Sequence, residues 1–185
     1  MALSLRRSLL HAALAALLGL VAAGRAAAVP PGSPTSIAAL DLCSDVDEIA
    51  EGERDAALAR GLALAEAAVA TDERDARGHF ALFCHLGKRI ERSGISFRQL
   101  TALRRLRREL DITLALVPGD PDALAAKGAL LLKLPRLLGG DAAEAEVLLR
   151  RALEAEPDNT AARCYLAEVL RVRGVSSAAA EHRHC

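Results

Sequence analysis

Apolar residues recur at three- and four-residue intervals along most of the chain, with polar residues between them, which is the period of an amphipathic helix. Ala57, Leu58, Leu62, Ala65 and Val69 mark one face of a helix that starts within or just after an acidic stretch and ends near Thr71. A polar turn, TDERD, leads to a second helix carrying His79, Phe80, Leu82, Phe83 and Leu86, which runs out near Ser93 and Gly94. From Ser96 a third helix carries Leu100, Leu103, Leu106, Leu110, Leu114 and Val117 on one stripe, with arginines outside it. PGDPD breaks the chain, and Pro121 suits the first turn of a helix through Leu124, Gly128, Leu131 and Leu134 that Pro135 ends. Asp141 is placed to cap the next helix, whose face is Ala145, Leu148, Leu149, Ala152 and Leu153 and which EPDN closes. A last helix holds Leu166, Ala167, Val169 and Leu170 and stops at Gly174. Short helices joined by short turns must pack antiparallel to their neighbours, so the pattern predicts stacked helical hairpins.

Composition narrows the class. Apolar residues make up 52% of the 185, but aromatic residues only 2%, so the apolar mass is Ala, Leu and Val. Ala and Leu favour helix, and the aromatic residues enriched in strands are nearly absent. The fold class is therefore all-α. Formal charge is zero, with 24 basic and 24 acidic residues, which gives no bulk attraction to nucleic acid or membrane. The distribution is uneven: the charged residues of 41–55 are acidic but for Arg54, and those of 88–108 are basic but for Glu91. Two complementary faces within one fold account for this. RRLRREL lies on a regular amphipathic helix without stacking aromatics, so it reads as a solvated face.

The first residues have the three parts of a secretory signal. Arg6 and Arg7 form the positive end, Leu9 to Ala23 the apolar stretch, and Ala26, Ala27 and Ala28 a small-residue cleavage site. That apolar stretch is short for a spanning helix, which needs about 20 residues. Residues 1–28 are thus expected to be removed, with a membrane association only if processing fails. Arg-over-Lys usage and the Ala-rich composition point to a GC-rich bacterial genome and to the periplasm. Residues 29–40 read as a mobile Pro/Ser-rich spacer, 41–174 as the helical domain and 175–185 as a tail. In an oxidising compartment Cys43, Cys84, Cys164 and Cys185 can form bridges, and four cysteines allow three pairings. His182, His184 and Cys185 are too few ligands for a zinc site on a chain end, so no metal and no cofactor is expected.

Segments 68–83 and 152–167 align as helix, polar turn and helix, with Ala68 on Ala152, Asp75 on Asn159 and Leu82 on Leu166. A third copy follows Ala115 with a shift of about one residue at the turn, so the segment recurs as a repeat. Gly128, Gly140, Ala145, Leu149, Ala152, Pro157, Leu166 and Ala167 sit at the small and apolar packing positions of the tetratricopeptide repeat. The chain resembles that family over roughly residues 50 to 174, with about three hairpins' worth of material. It departs by an insertion of about five residues at KLPRLLGG, which resembles one in divergent periplasmic tetratricopeptide proteins associated with TRAP-type solute transporters.

What the resemblance implies is a binding scaffold with a concave groove lined by the first helix of each hairpin. Carried over position by position, the groove residues are Arg77, Phe80, Cys84 and Lys88, then Asp122, Ala125, Ala129 and Lys133, then Ala161, Cys164, Glu168 and Arg171. Several are basic, which would suit an acidic peptide or a terminal carboxylate. No phosphate loop, nucleophile elbow or HExxH motif is present, and His79 and His85 point in different directions on one helix, so catalysis is not expected. Two classes of function follow: an envelope adaptor that binds a protein or peptide, and a solute-binding accessory of a TRAP-type transport system with an internal pocket. A homo-oligomer formed through an open apolar face near residues 159–174 is a further expectation.

Overall fold

The computed structural model describes residues 32–93 and 99–174. Residues 1–28, expected to be a signal segment, and the tail, with its His182, His184 and Cys185, lie outside the described residues. Among those residues the chain is helical and forms no strand. In order the helices are α1 (Pro34–Ser44), α2 (Glu51–Thr71), α3 (Ala76–Ser93), α4 (Gln99–Leu116), α5 (Pro121–Lys133), α6 (Ala142–Ala155) and α7 (Thr160–Val172). Short 3-10 turns follow α1 (Asp45–Asp47) and α5 (Arg136–Leu138). None of the described helices is long and apolar enough to cross a membrane.

The starts of the helices follow from local chemistry. Asp120 caps α5 through the Ala123 N–H at 2.9 Å, with Pro121 in the first turn where a missing N–H costs nothing. Asp141 accepts from the N–H groups of Ala143 and Glu144 and caps α6. The insertion KLPRLLGG becomes a tight turn: Gly139 takes a left-handed φ of 82°, and the Arg107 guanidinium donates to the Leu138 carbonyl. A side chain at Gly140 would collide with the Leu134 carbonyl, so the turn tolerates only glycine there.

Each helix packs on its chain neighbour, most lightly between α4 and α5, and α1 also packs on α3, as α5 does on α7. Four apolar clusters follow from this order, the smallest of them Val46, Ala57 and Leu58 between the turn after α1 and α2. Ala39, Ala65, Ala81 and Leu82 join α1, α2 and α3. Leu86, Leu103, Leu106 and Leu134 join α3, α4 and α5. Leu124, Ala145, Leu149, Ala152, Leu166 and Leu170 are buried among α5, α6 and α7. The small residues permit the close approach: a Cβ at Gly128 would lie 2.6 Å from Leu149 Cγ. Ala145, Leu149, Ala152, Leu166 and Ala167 are buried, whereas Pro157 is exposed in the turn before α7.

Two expectations need correction. The stretch 29–40 is not all spacer, because α1 begins at Pro34 and the helical unit therefore starts before residue 41. Ser33 caps it through the Ser36 N–H at 3.1 Å, and Pro34 occupies the first turn, so a Ser-Pro pair that reads as a breaker is a helix start. The final helix also lacks an open apolar face. Ala162, Leu166, Ala167, Val169 and Leu170 are buried, and Val172 is its exposed large apolar residue.

Candidate functional site

The N-termini of α1, α3, α5 and α7 carry one device in four copies. Ser33, Asp75, Asp120 and Asn159, spaced about 40 residues apart, each accept from the N–H three residues on, which belongs to Ser36, Gly78, Ala123 and Ala162. The caps are also cross-linked between helices. The Ser33 N–H donates to Asp75 Oδ2 at 3.2 Å, and Asn159 Nδ2 donates to Asp122 Oδ1 at 2.9 Å. Helices whose starts touch and whose lengths pack must run parallel, so α1 lies along α3 and α5 along α7. Burial pushes the Asp75 carboxyl upward, but the Gly78 N–H and the hydrogen bonds from Ser33 and Ser36 outweigh it and hold the group below its ordinary value. At Asp120 burial wins, helped by Asp122, and the carboxyl is raised despite the Ala123 N–H.

The face of α3, α5 and α7 that the family resemblance marks as a groove is partly filled by α1. Cys84 is bonded to Cys43 of α1, with Cα atoms 6.3 Å apart. Lys88 pairs with Asp47 in the turn after α1. Arg77 is half-buried, with its stem against Gly32. Phe80 is half-buried and stacked on Phe83 at 5.7 Å. On α5, Ala125 and Ala129 are buried, while Asp122 is exposed and accepts from Asn159. Lys133 reaches Glu91 of α3 at 3.4 Å and lies 5.4 Å from the centre of the Tyr165 ring of α7, which links the three helices. On α7, Ala161, Glu168 and Arg171 are exposed, and Cys164 is disulfide-bonded, so it offers no thiol to a ligand. Internal partners thus neutralise Lys88 and Lys133, and the open part of the face is of mixed charge rather than basic.

The uneven charge resolves in the same way. Arg92 of α3 binds Glu51 and Asp55 of α2, each at 2.8 Å, and Arg105 of α4 binds Glu66 of α2 at 2.8 Å. Acidic and basic stretches therefore meet across α2, α3 and α4.

Both histidines of α3 have partners inside the fold. His79 Nδ1 meets Glu109 Oε2 at 2.7 Å and Nε2 meets the Glu73 carbonyl at 3.0 Å, so neither nitrogen is left to take a substrate proton. His85 is fully buried, and its Nε2–H donates to the Ala39 carbonyl at 2.8 Å. Its Nδ1 is buried without a partner, and burial lowers the pKa of the ring.

Comparison with models of protein families finds none that fits the chain, and comparison with curated proteins finds none either.

A cavity of 520 Å³ opens over the C-terminal half of α3, between α2 and α4. Ala59, Leu86, Ile90 and Ala102 give it apolar walls, and Asp55, Arg89, Arg92 and Ser93 give it a polar rim. Residue pattern alone did not reveal it, because its walls come from three helices and two of them are alanines.

Proposed function

We propose that the chain is a non-catalytic helical-repeat scaffold of the tetratricopeptide type, exported to the bacterial envelope, where it binds another protein or a peptide. The observation that carries the reading is the four-fold recurrence of the capped helix start at Ser33, Asp75, Asp120 and Asn159, with the starts of α1 and α3, and those of α5 and α7, hydrogen-bonded to one another. This reading takes α1, α3, α5 and α7 as an inner layer and α2, α4 and α6 as an outer one, and solenoids of this kind bind partners along their inner layer. In this reading Phe80, Glu168 and Arg171 meet the partner, since Asp122 is engaged by Asn159 and Lys133 by Glu91 and Tyr165. The Cys43–Cys84 disulfide favours an oxidising compartment, in keeping with the signal-like leader.

The test is a gentle isolation of the mature protein from its envelope fraction, read by native mass spectrometry. A stoichiometric protein companion is expected. A lone chain carrying no companion across repeated preparations would count against the scaffold.

A second reading, a solute-binding accessory of a TRAP-type transport system, is favoured by the cavity over α3. In the same spectra it would appear as a small added mass on the chain.

A further inference from the structure

The cavity between α2, α3 and α4 has a chemistry of its own, and we propose that it binds a short amphiphilic monocarboxylate, with Arg89 holding the carboxylate and the apolar chain lying on Leu86 and Ile90. This names the ligand class for the solute-binding reading and does not depend on the protein-binding face.

Size comes first. At 520 Å³ the space lies within the range of roughly 300–1,000 Å³ typical of small-molecule pockets. Its walls are apolar: Leu86 is nearly fully buried, Ile90 is half-buried, and Ala59 and Ala102 stop short of filling the gap. Ala102 is half-buried and Ala59 is exposed at the mouth.

Charge decides the ligand's sign. Two arginines and one carboxylate sit on the rim, but Arg92 is bound to Asp55 and Glu51 at 2.8 Å each, which answers the acid. Arg89 makes no ion pair among the described residues, so one positive charge is left facing the opening. A guanidinium binds a carboxylate through two parallel hydrogen bonds and is less suited to a neutral head. A cationic head would meet Arg89 and Arg92 directly. A polyanion would face Asp55 and Glu51 behind the single unpaired cation. A monoanion on an apolar chain satisfies the walls and the rim together.

Calorimetric titration of the full chain with octanoate, octylammonium and octanol tests this. Saturable binding of one octanoate per chain is expected, with no saturable binding of octylammonium. Arg89→Glu, an exposed position, should weaken octanoate at least about tenfold, the loss of a charge-assisted hydrogen bond, without changing the helical circular dichroism. Ala102→Trp should abolish binding by filling the space. Should that variant not fold, Ala59→Met fills the same space from α2 and should weaken binding likewise. Absence of saturable octanoate binding, equal binding of octylammonium, or an Arg89→Glu variant that binds as tightly as the parent would overturn the proposal. The scaffold reading would stand or fall separately, on the protein companion.

Discussion

Replacing both Cys43 and Cys84 by alanine tests how α1 is held to the rest of the molecule. The bridge joins residues 41 apart in sequence, from α1 to the middle of α3. In the chain-entropy treatment, closing a loop of that length restricts the unfolded chain by about 13 cal/mol/K, or about 4 kcal/mol at 25 °C. Cys43 is fully buried, so truncation to alanine adds a small packing loss. Domains of this size have about 5–15 kcal/mol in total, so the effect is large. The assay is urea unfolding followed by circular dichroism, parent against double variant, both under oxidising conditions. A slope of about 2 kcal/mol/M would place the midpoint about 2 M lower in the variant. Native-state hydrogen exchange should show α1 amides opening more readily than those of α5 to α7. A loss below about 1 kcal/mol would refute the reasoning, because α1 would then be held by packing alone and the crosslink would be incidental.

Gly61 of α2 faces the His85 ring so closely that any Cβ would overlap it. Gly61→Ala should therefore cost at least about 2 kcal/mol through displaced packing and the lost bond to Ala39, measured by the same urea curves. Gly52, on the same helix with open space around it, should gain about 0.5 kcal/mol on mutation to alanine. The folded-state pKa of His85 is depressed, so the unfolded chain takes up a proton first. Its stabilising contribution is complete above about pH 6.5 and falls as pH drops through that value, at up to about 1.4 kcal/mol per unit. His85→Leu should flatten the urea midpoint between pH 7.5 and 5.5, and an unchanged pH profile would contradict this. His79→Leu leaves Glu109 buried without its closest partner and should cost about 3 kcal/mol. The double variant with Glu109→Leu should recover most of that loss in a double-mutant cycle.

Most of the helices were legible because each of α3 to α7 is amphipathic, and their apolar stripes, caps and breakers agree. The alignment of Asp75 with Asn159 already paired two residues that turn out to cap equivalent helices. The fourth copy, at Ser33, was not legible. Ile37 and Ala38 of α1 are exposed while Ala39 is buried, so its apolar residues circle the helix instead of marking one side, and the Ser-Pro before it reads as a spacer. Missing α1 also hid its consequences. Cys84 and Lys88 matched groove positions in the resemblance, but their partners, Cys43 and Asp47, arrive by a tertiary contact that no local pattern encodes. The same holds for Lys133, whose acidic and aromatic neighbours lie on two other helices. Charge counted along the chain therefore overstated how basic the face of α3, α5 and α7 is.

The most direct test of an inner binding layer is site-specific photo-crosslinking in the envelope fraction. A crosslinking amino acid would be placed at Phe80 of α3 or Glu168 of α7, on the proposed inner layer, and at Ala63 or Val147 on exposed positions of α2 and α6. A protein adduct from the inner positions and none from the outer ones is the predicted result. Equal adducts from both sets, or adducts from Ala63 and Val147 alone, would contradict it.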